Sequence, residues 1–161
     1  MYKRIFPAFI LTLILFTSCK KELPDVGGTA TQSMANEWWV TFSQDGNDLY
    51  GTHVKIATYN TAANTGEIWV DDFDGNVWDF KVKAQADLAN LTFNAAESVS
   101  VIPGYDIKVN ITDGKIFPNM GLSKTGNVTD SIHMKIEFED DPGTIYELAG
   151  HGRTKFIEDE Y

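Results

Sequence analysis

The stretch that decides the fold is residues 66–84, GEIWVDDFDGNVWDFKVKA. Apolar and polar side chains alternate along both of its arms, which is the pattern of two β-strands that each bury one face. A three-residue loop ending in a left-handed glycine would set Val70 opposite Trp78 and Ile68 opposite Phe80. We therefore predict an antiparallel hairpin that buries these side chains, and an all-β fold around it.

The length of the hairpin loop decides on which side of the sheet Trp69 lies. A two-residue loop at residues 74–75 would set Trp69 opposite Phe80 on the same face. The three-residue loop instead leaves Trp69 outward and sets Glu67 opposite Lys81, a favourable cross-strand pair. We prefer the three-residue loop, because a slip of one residue would move a whole apolar face into water. Trp69 is then a candidate contact for a partner in a surface complex.

Alternating apolar side chains recur along the rest of the chain, and no segment keeps a helical period. Short polar connections join these runs, which is typical of an antiparallel meander. We predict a single domain over residues 36–161, closed into a β-barrel of about 8–10 strands, with a β-sandwich as the alternative. The predicted strands outside the hairpin cover residues 36–43, 53–59, 88–93, 98–102, 105–111, 132–138 and 145–155.

Two more registers follow from the residues around the turns. The dipeptide at residues 113–114, Asp-Gly, predicts a two-residue turn that sets Ile111 opposite Ile116. Near the C-terminus, a register that sets Lys135 opposite Glu147 also aligns the apolar residues of the two strands.

The first 18 residues have the features of a lipoprotein signal peptide. Lys3 and Arg4 precede an apolar run that is shorter than the roughly 20 residues a spanning helix needs. The run ends at Cys19, which is the only cysteine in the chain and follows small residues. We predict cleavage before Cys19, lipidation of its thiol and a flexible tether over residues 19–35. This predicts a bacterial cell-envelope protein anchored to the outer membrane, on either face.

The composition argues against nucleic acid as a partner. The chain has 13 lysines and arginines against 23 aspartates and glutamates, a formal net charge of −10, and loss of Lys3 and Arg4 leaves −12. Nucleic-acid binding needs clustered basic side chains that neutralise phosphates. The expected partners are the membrane, through the lipid anchor, and a lipid or other small apolar ligand.

The sequence shows no motif for catalysis, for a metal or for a cofactor. It has no Gly-x-Ser-x-Gly elbow, and lipidation would use its one cysteine. The aspartates around Gly75 fail as a calcium loop, because Val70 and Lys81 would occupy ligand positions. The three histidines lack metal-ligand spacing, and strand alternation directs them outward or leaves their direction open. A hydrolase with a dispersed site is kept as an alternative.

Aromatic side chains are the best candidates for a ligand site, because many of them alternate inward. Filling the core is the leading interpretation for most of these side chains, and the alternative is that some line an apolar cavity. Two polar candidates are added, because the glycines that flank His151 would allow a ligand to approach the strand. The candidate cavity residues are Trp38, Trp78, Phe80, Phe93, Tyr105, Met134, Phe138, His151 and Arg153.

Several short motifs together resemble a known family. They are TYNTAANT at residues 58–65, WDFK at 78–81, DGKI at 113–116, DSI at 130–132 and RT at 153–154. With these motifs the chain resembles the Bacteroidetes lipoproteins called lipid-binding putative hydrolases. The resemblance implies a lipocalin-like β-barrel on a lipid anchor. The prediction is an envelope lipoprotein that binds a small apolar or amphipathic ligand, with an interaction module of a surface complex as the alternative.

Overall fold

A computed structural model of the chain describes residues 27–73 and 75–161. The predictions for the signal peptide, for Cys19 and for Asp74 lie outside these residues. The described residues form nine strands in one antiparallel sheet. The strands are β1 (Asn36–Gln44), β2 (Asn47–Asp48), β3 (Val54–Asn60), β4 (Glu67–Asp71), β5 (Lys81–Asp87), β6 (Thr92–Val99), β7 (Lys108–Leu122), β8 (Val128–Phe138) and β9 (Tyr146–Gly152).

The sheet closes into a barrel because β1 pairs with both β3 and β9. Eight strands form the barrel in the order β1-β3-β4-β5-β6-β7-β8-β9, and the short β2 pairs only with the end of β1. The predicted all-β antiparallel barrel is therefore confirmed, and the sandwich alternative is set aside. Closure removes the exposed edges that an open sheet would present to other chains.

Side chains from all eight barrel strands fill the interior. An eight-stranded barrel has an interior just wide enough for such filling. Alternation along the strands accounts for the core: Trp38, Val40 and Phe42 of β1 are each at most 1% exposed. The one polar group of this row is satisfied, because the indole Nε1 of Trp38 donates to Thr58 Oγ1 at 2.9 Å.

The central hairpin has a longer loop than predicted. β4 and β5 pair Ile68 with Ala84 and Glu67 with Gln85, so the predicted partners Phe80 and Lys81 are wrong. The observed partners lie four residues further along the chain, because residues 72–80 leave the sheet. An even shift keeps every side chain on its predicted face.

Trp69 consequently lies on the outer wall, as predicted, although the register that led to this prediction is wrong. Its neighbours Ile68 and Val70 are fully buried inside the barrel. Trp78, predicted opposite Val70, lies instead in the loop, and Val82 takes its place in the pairing.

The turn predicted at residues 113–114 is absent from the structure. β7 runs without reversal through residues 113–114, so Ile111 and Ile116 lie on one strand, opposite Ile136 and Ile132 of β8. Asp113 has a positive φ of 53°, and the register with β8 shifts there, so the strand bends at a bulge.

Of the two remaining predictions, one strand boundary is wrong and one pairing is confirmed. β6 is one strand in place of the two weak strands predicted at residues 88–93 and 98–102. The predicted pairing of Lys135 with Glu147 is confirmed.

The barrel has two chemically different ends. The Trp78 end consists of the connections at residues 45–53, 72–80, 100–107 and 139–145. The Met34 end consists of the connections at residues 61–66, 88–91 and 123–127 together with the N-terminal 3₁₀ turn Gln32–Met34. Met34 is fully buried at this end, and Ala30 N donates to Asn64 Oδ1 at 2.8 Å. The described part of the chain contains no helix with the length and apolar character needed to cross a membrane.

Candidate ligand-binding site

Five aromatic rings converge at the Trp78 end of the barrel. Trp78 stacks on Phe138 with ring centroids 4.7 Å apart and an interplanar angle of 7°. Phe42 stacks on Tyr146 at 4.7 Å and on Tyr50 at 5.5 Å. The rings of Trp78 and Tyr146 are 5.2 Å apart, so the two stacks join. We call these five residues the aromatic mouth, because they cover this end of the apolar interior.

The loop that carries Trp78 is organised around the buried carboxylate of Asp72. This side chain is fully buried, and its Oδ2 accepts hydrogen bonds from the backbone N–H groups of Val77 at 3.3 Å, Trp78 at 3.0 Å and Asp79 at 2.7 Å. A short aspartate can reach the backbone of its own loop, and a buried charge needs such partners. Asp72 therefore determines where Trp78 lies.

Hydrogen bonds to the connection between β8 and β9 hold the rim of the mouth. The indole Nε1 of Trp78 donates to Asp140 Oδ1 at 3.1 Å, and the Tyr105 hydroxyl donates to the other oxygen of Asp140. The Tyr146 hydroxyl donates to Asp141 Oδ2 at 2.6 Å, which raises the pKa of Tyr146 to about 12. The hydrogen bond from the Tyr105 hydroxyl to Asp140 likewise raises the pKa of Tyr105 above its ordinary value. Both phenols therefore remain protonated donors at neutral pH.

The structure brings some of the predicted cavity residues together at this mouth. Trp78 and Phe138 belong to it, Tyr105 lies at its rim, and Phe80 packs beneath Phe138 with centroids 5.6 Å apart. The other inward candidates, which are Trp38, Phe93 and Met134, are buried within the core. Ligand binding by these residues stays a prediction.

The mouth also contains residues that were not named as site candidates. The alternation of β1 directs Phe42 inward, and its position at the end of the barrel follows from the tertiary structure. Tyr50 lies after the β1–β2 turn, and its hydroxyl donates to Val77 O at 2.9 Å. Tyr146 begins β9. Strand alternation gives the side of a residue but does not indicate which rings meet at one end.

The remaining two candidates, His151 and Arg153, lie on the outer wall. His151 is opposite Trp39 of β1 and is only 6% exposed, because the C-terminal residues cover it. Its Nε2 lies 3.2 Å from the Tyr161 hydroxyl. Arg153 forms ion pairs with Glu37 at 2.6 Å and with Glu160 at 2.7 Å, which raise its pKa.

The covering segment is residues 153–161, which we call the C-terminal strap. Asp159, in the 3₁₀ turn Ile157–Asp159, is 1% exposed and accepts hydrogen bonds from Thr125 N at 2.8 Å and from Thr154 Oγ1 at 2.6 Å. Burial alone would raise the pKa of this carboxyl, but these hydrogen bonds outweigh burial and hold the pKa well below its usual range. The strap ends at Tyr161, whose ring packs on Trp39 at 5.4 Å.

The strap contact is expected to weaken in mild acid. His53 stacks on Tyr161 at 4.1 Å, and burial together with the nearby His151 lowers the pKa of His53. The unfolded chain therefore takes up this proton at a higher pH than the folded protein does. The stability that neutral His53 contributes is present above the ordinary histidine pKa of about 6.5 and is lost as the pH falls below it.

Urea denaturation of the wild type and of the variant His53→Gln, at neutral and mildly acidic pH, measures this effect. The variant should lose less stability on acidification than the wild type. Equal losses would contradict the assignment to His53.

A hydrolytic site would need a nucleophile that contacts a base. Ser131 lies opposite His151, but its hydroxyl donates to Gly150 O at 2.8 Å, while His151 contacts Tyr161. These two side chains therefore do not form a nucleophile–base pair. In residues 27–73 and 75–161, no group of three or more His, Cys, Asp or Glu side chains could hold a metal ion.

Depressions of about 180, 360 and 360 Å³ lie on the outer wall. Their linings mix apolar side chains with charged ones such as Lys108, Lys155 and Asp113. Trp69 also lies on this wall, half-buried, with the ammonium groups of Lys81 and Lys83 at 5.6 and 5.4 Å from its ring. The aromatic mouth differs from all of these because its rings cover the end of the apolar barrel interior.

The fold and the site define a closed eight-stranded antiparallel β-barrel with an aromatic mouth at one end. Comparison with curated proteins gives no match. A family model described as "Lipid-binding putative hydrolase" matches residues 23–157. The chain belongs to this family.

Proposed function

We propose that this protein is a lipid-anchored envelope protein that binds a small apolar or amphipathic, lipid-like ligand at the aromatic mouth. The observation that carries the proposal is the mouth itself, where the five aromatic rings cover an apolar barrel interior. Membership of a family described as lipid-binding supports the class of ligand. The signal-peptide features and Cys19 support the anchor.

The packing suggests how an acyl chain would bind. The core side chains beneath the mouth are almost completely buried, so a ligand has to displace a ring at the rim. Trp78 is the best candidate, because it is half-buried and lies in a loop rather than in a strand. An acyl chain that replaces Trp78 would pack against Phe138 and Phe42, and the Asp140 carboxylate at the rim would favour an uncharged or cationic polar end over an anionic one.

The experiment is the recovery of bound lipid from the purified protein. Solvent extraction and mass spectrometry of protein isolated from its own membranes should show a co-purifying lipid. The variant Trp78→Ala is expected to raise lipid occupancy severalfold, because it removes the ring that a ligand otherwise has to displace. The matched control Trp69→Ala removes an indole from the outer wall and should leave the occupancy unchanged. Absence of lipid, together with no binding of a fluorescent, uncharged acylglycerol analogue, would refute the proposal.

A second candidate function is an interaction module that uses the outer wall around Trp69. It is favoured by the partial exposure of this indole between Lys81 and Lys83. The same Trp69→Ala control separates the two functions, since loss of a bound protein partner with unchanged lipid would favour the module.

A further inference from the structure

The most exposed large apolar side chains of the described residues lie in two segments at the Met34 end. Three side chains of the β7–β8 hairpin and two of the strap are 56–89% exposed, while no other exposed large apolar side chain of the described residues, Tyr161 included, exceeds 52%. We call the five residues the apolar tip: Met120 at 74%, Leu122 at 64%, Val128 at 65%, Phe156 at 56% and Ile157 at 89%. Single exposed apolar residues are ordinary, but a group confined to one end of a molecule indicates a contact surface.

The two segments form one surface because they are bonded to each other. Leu122 and Val128 are directly opposite in the β7–β8 pairing. Thr125, at the tip of this hairpin, donates its backbone N–H and its hydroxyl to Asp159 of the strap at 2.8 and 2.7 Å. Lys124 donates to Glu160 O at 2.8 Å. The hairpin tip therefore holds the strap beside it.

The N-terminal segment enters the barrel at the same end. Ala30 is bonded to Asn64 there, and the described chain begins at Gly27. Cys19, the predicted lipidation site, lies eight residues before Gly27. Eight residues span at most about 29 Å when fully extended. An acyl anchor on Cys19 would thus keep the Met34 end close to the membrane.

The connections of the Trp78 end are acidic and those of the Met34 end are not, which favours the Met34 end at a membrane surface. The connections at residues 61–66, 88–91 and 123–127 contain no aspartate or glutamate, and Lys124 lies in the last of them. In the strap, Glu160 is paired with Arg153 and Asp159 is buried, which leaves the exposed Glu158 against the exposed Lys155. The four connections of the Trp78 end contain no lysine or arginine, and each has at least one acidic residue. Anionic lipid attracts basic side chains and repels acidic ones, so the Trp78 end is disfavoured at the surface.

We infer that the barrel stands on the membrane with the apolar tip in the lipid interface and with the aromatic mouth directed away from the membrane. The inference rests on the lipid anchor of the proposed function. The surface that the apolar tip contacts is that of the same bilayer that holds the anchor. Partial insertion of apolar side chains adds to acyl anchoring, which is strongest when two membrane contacts act together.

Fluorescent labels at the two ends of the barrel test this orientation. The full chain is expressed and processed with Leu122→Cys or, as the matched control, with Val101→Cys, which is 52% exposed at the Trp78 end. Each protein is labelled with an environment-sensitive fluorophore and reconstituted into phosphatidylethanolamine–phosphatidylglycerol vesicles. The label at position 122 should shift to shorter wavelength and be quenched severalfold more by brominated lipid than the label at position 101.

The outcomes separate this inference from the proposed function. Equal, water-like emission at both positions would overturn the orientation, and so would stronger quenching at position 101. Mass spectrometry of the parent chain tests acylation of Cys19 separately. If Cys19 is unacylated, the anchor fails, and vesicles added to protein that is labelled at position 122 in a Cys19→Ser background still decide whether the tip enters lipid.

Discussion

Replacing Gly150 with alanine is expected to prevent closure of the barrel. Gly150 of β9 lies opposite Val40 of β1, and an added Cβ would lie 1.9 Å from Trp39 O and 2.7 Å from Val40 Cα. Both are backbone atoms of the paired strand, so no side-chain rotation relieves the overlap. We expect a loss of about 3 kcal/mol or more in the free energy of unfolding. Urea denaturation followed by circular dichroism measures it.

Gly27→Ala is the matched control for this change. An added Cβ at Gly27 meets no atom within 4 Å, so the same substitution should leave the unfolding midpoint unchanged. A Gly150→Ala protein as stable as the wild type would show that β1 and β9 can separate slightly without loss of the fold. A monomer that becomes an oligomer would indicate that the opened strand edges pair between molecules.

The variant Asp72→Ala is expected to release the loop at residues 72–80 and uncover the mouth. Several backbone N–H groups would lose their buried acceptor, and the unfolding free energy should fall by about 3 kcal/mol. Hydrogen exchange provides a local measurement, because the amides of Val77, Trp78 and Asp79 donate to this carboxylate. We expect these amides to exchange many-fold faster in the variant than in the wild type.

Asp106→Ala provides the control, since Asp106 carries the same charge but is exposed in a neighbouring connection. It should change neither the stability nor the exchange of the loop. If the Asp72→Ala loop keeps its wild-type protection, the bonds of Trp78 to Asp140 and of Tyr50 to Val77 would suffice to hold it.

In the central hairpin, alternation of side chains predicted the faces of the strands correctly but not their register, whereas the register of β8 with β9 was predicted correctly. Ile68 and Val70 are inside and Trp69 is outside because the side-chain period of a strand is two, whatever the length of the loop. The register depends on where the loop begins, which is decided by the buried Asp72. An aspartate-rich turn and an aspartate that organises nine residues look the same in a sequence.

The mouth was predicted only in part for a related reason. Trp78 and Phe138 were named as inward aromatics, yet they are sixty residues apart in the chain and meet only because both lie at the same end of the closed sheet. His151 shows the opposite case. Its outward direction follows from alternation, but its burial depends on Tyr161 of the strap, a segment without any periodic signal.

The pairing of β1 with β9 has a consequence for how the protein is made. Thr41 and Ala149 are bonded across a separation of 108 residues, and Arg153 reaches Glu37 across 116. Such distant contacts make folding slow, because a long loop must close before any of them forms. The ring of strands cannot be completed while β9 is still being synthesised. Until β9 pairs with them, β1 and β8 each have one edge with unpaired backbone hydrogen-bonding groups. During this period the chain is most exposed to misassembly.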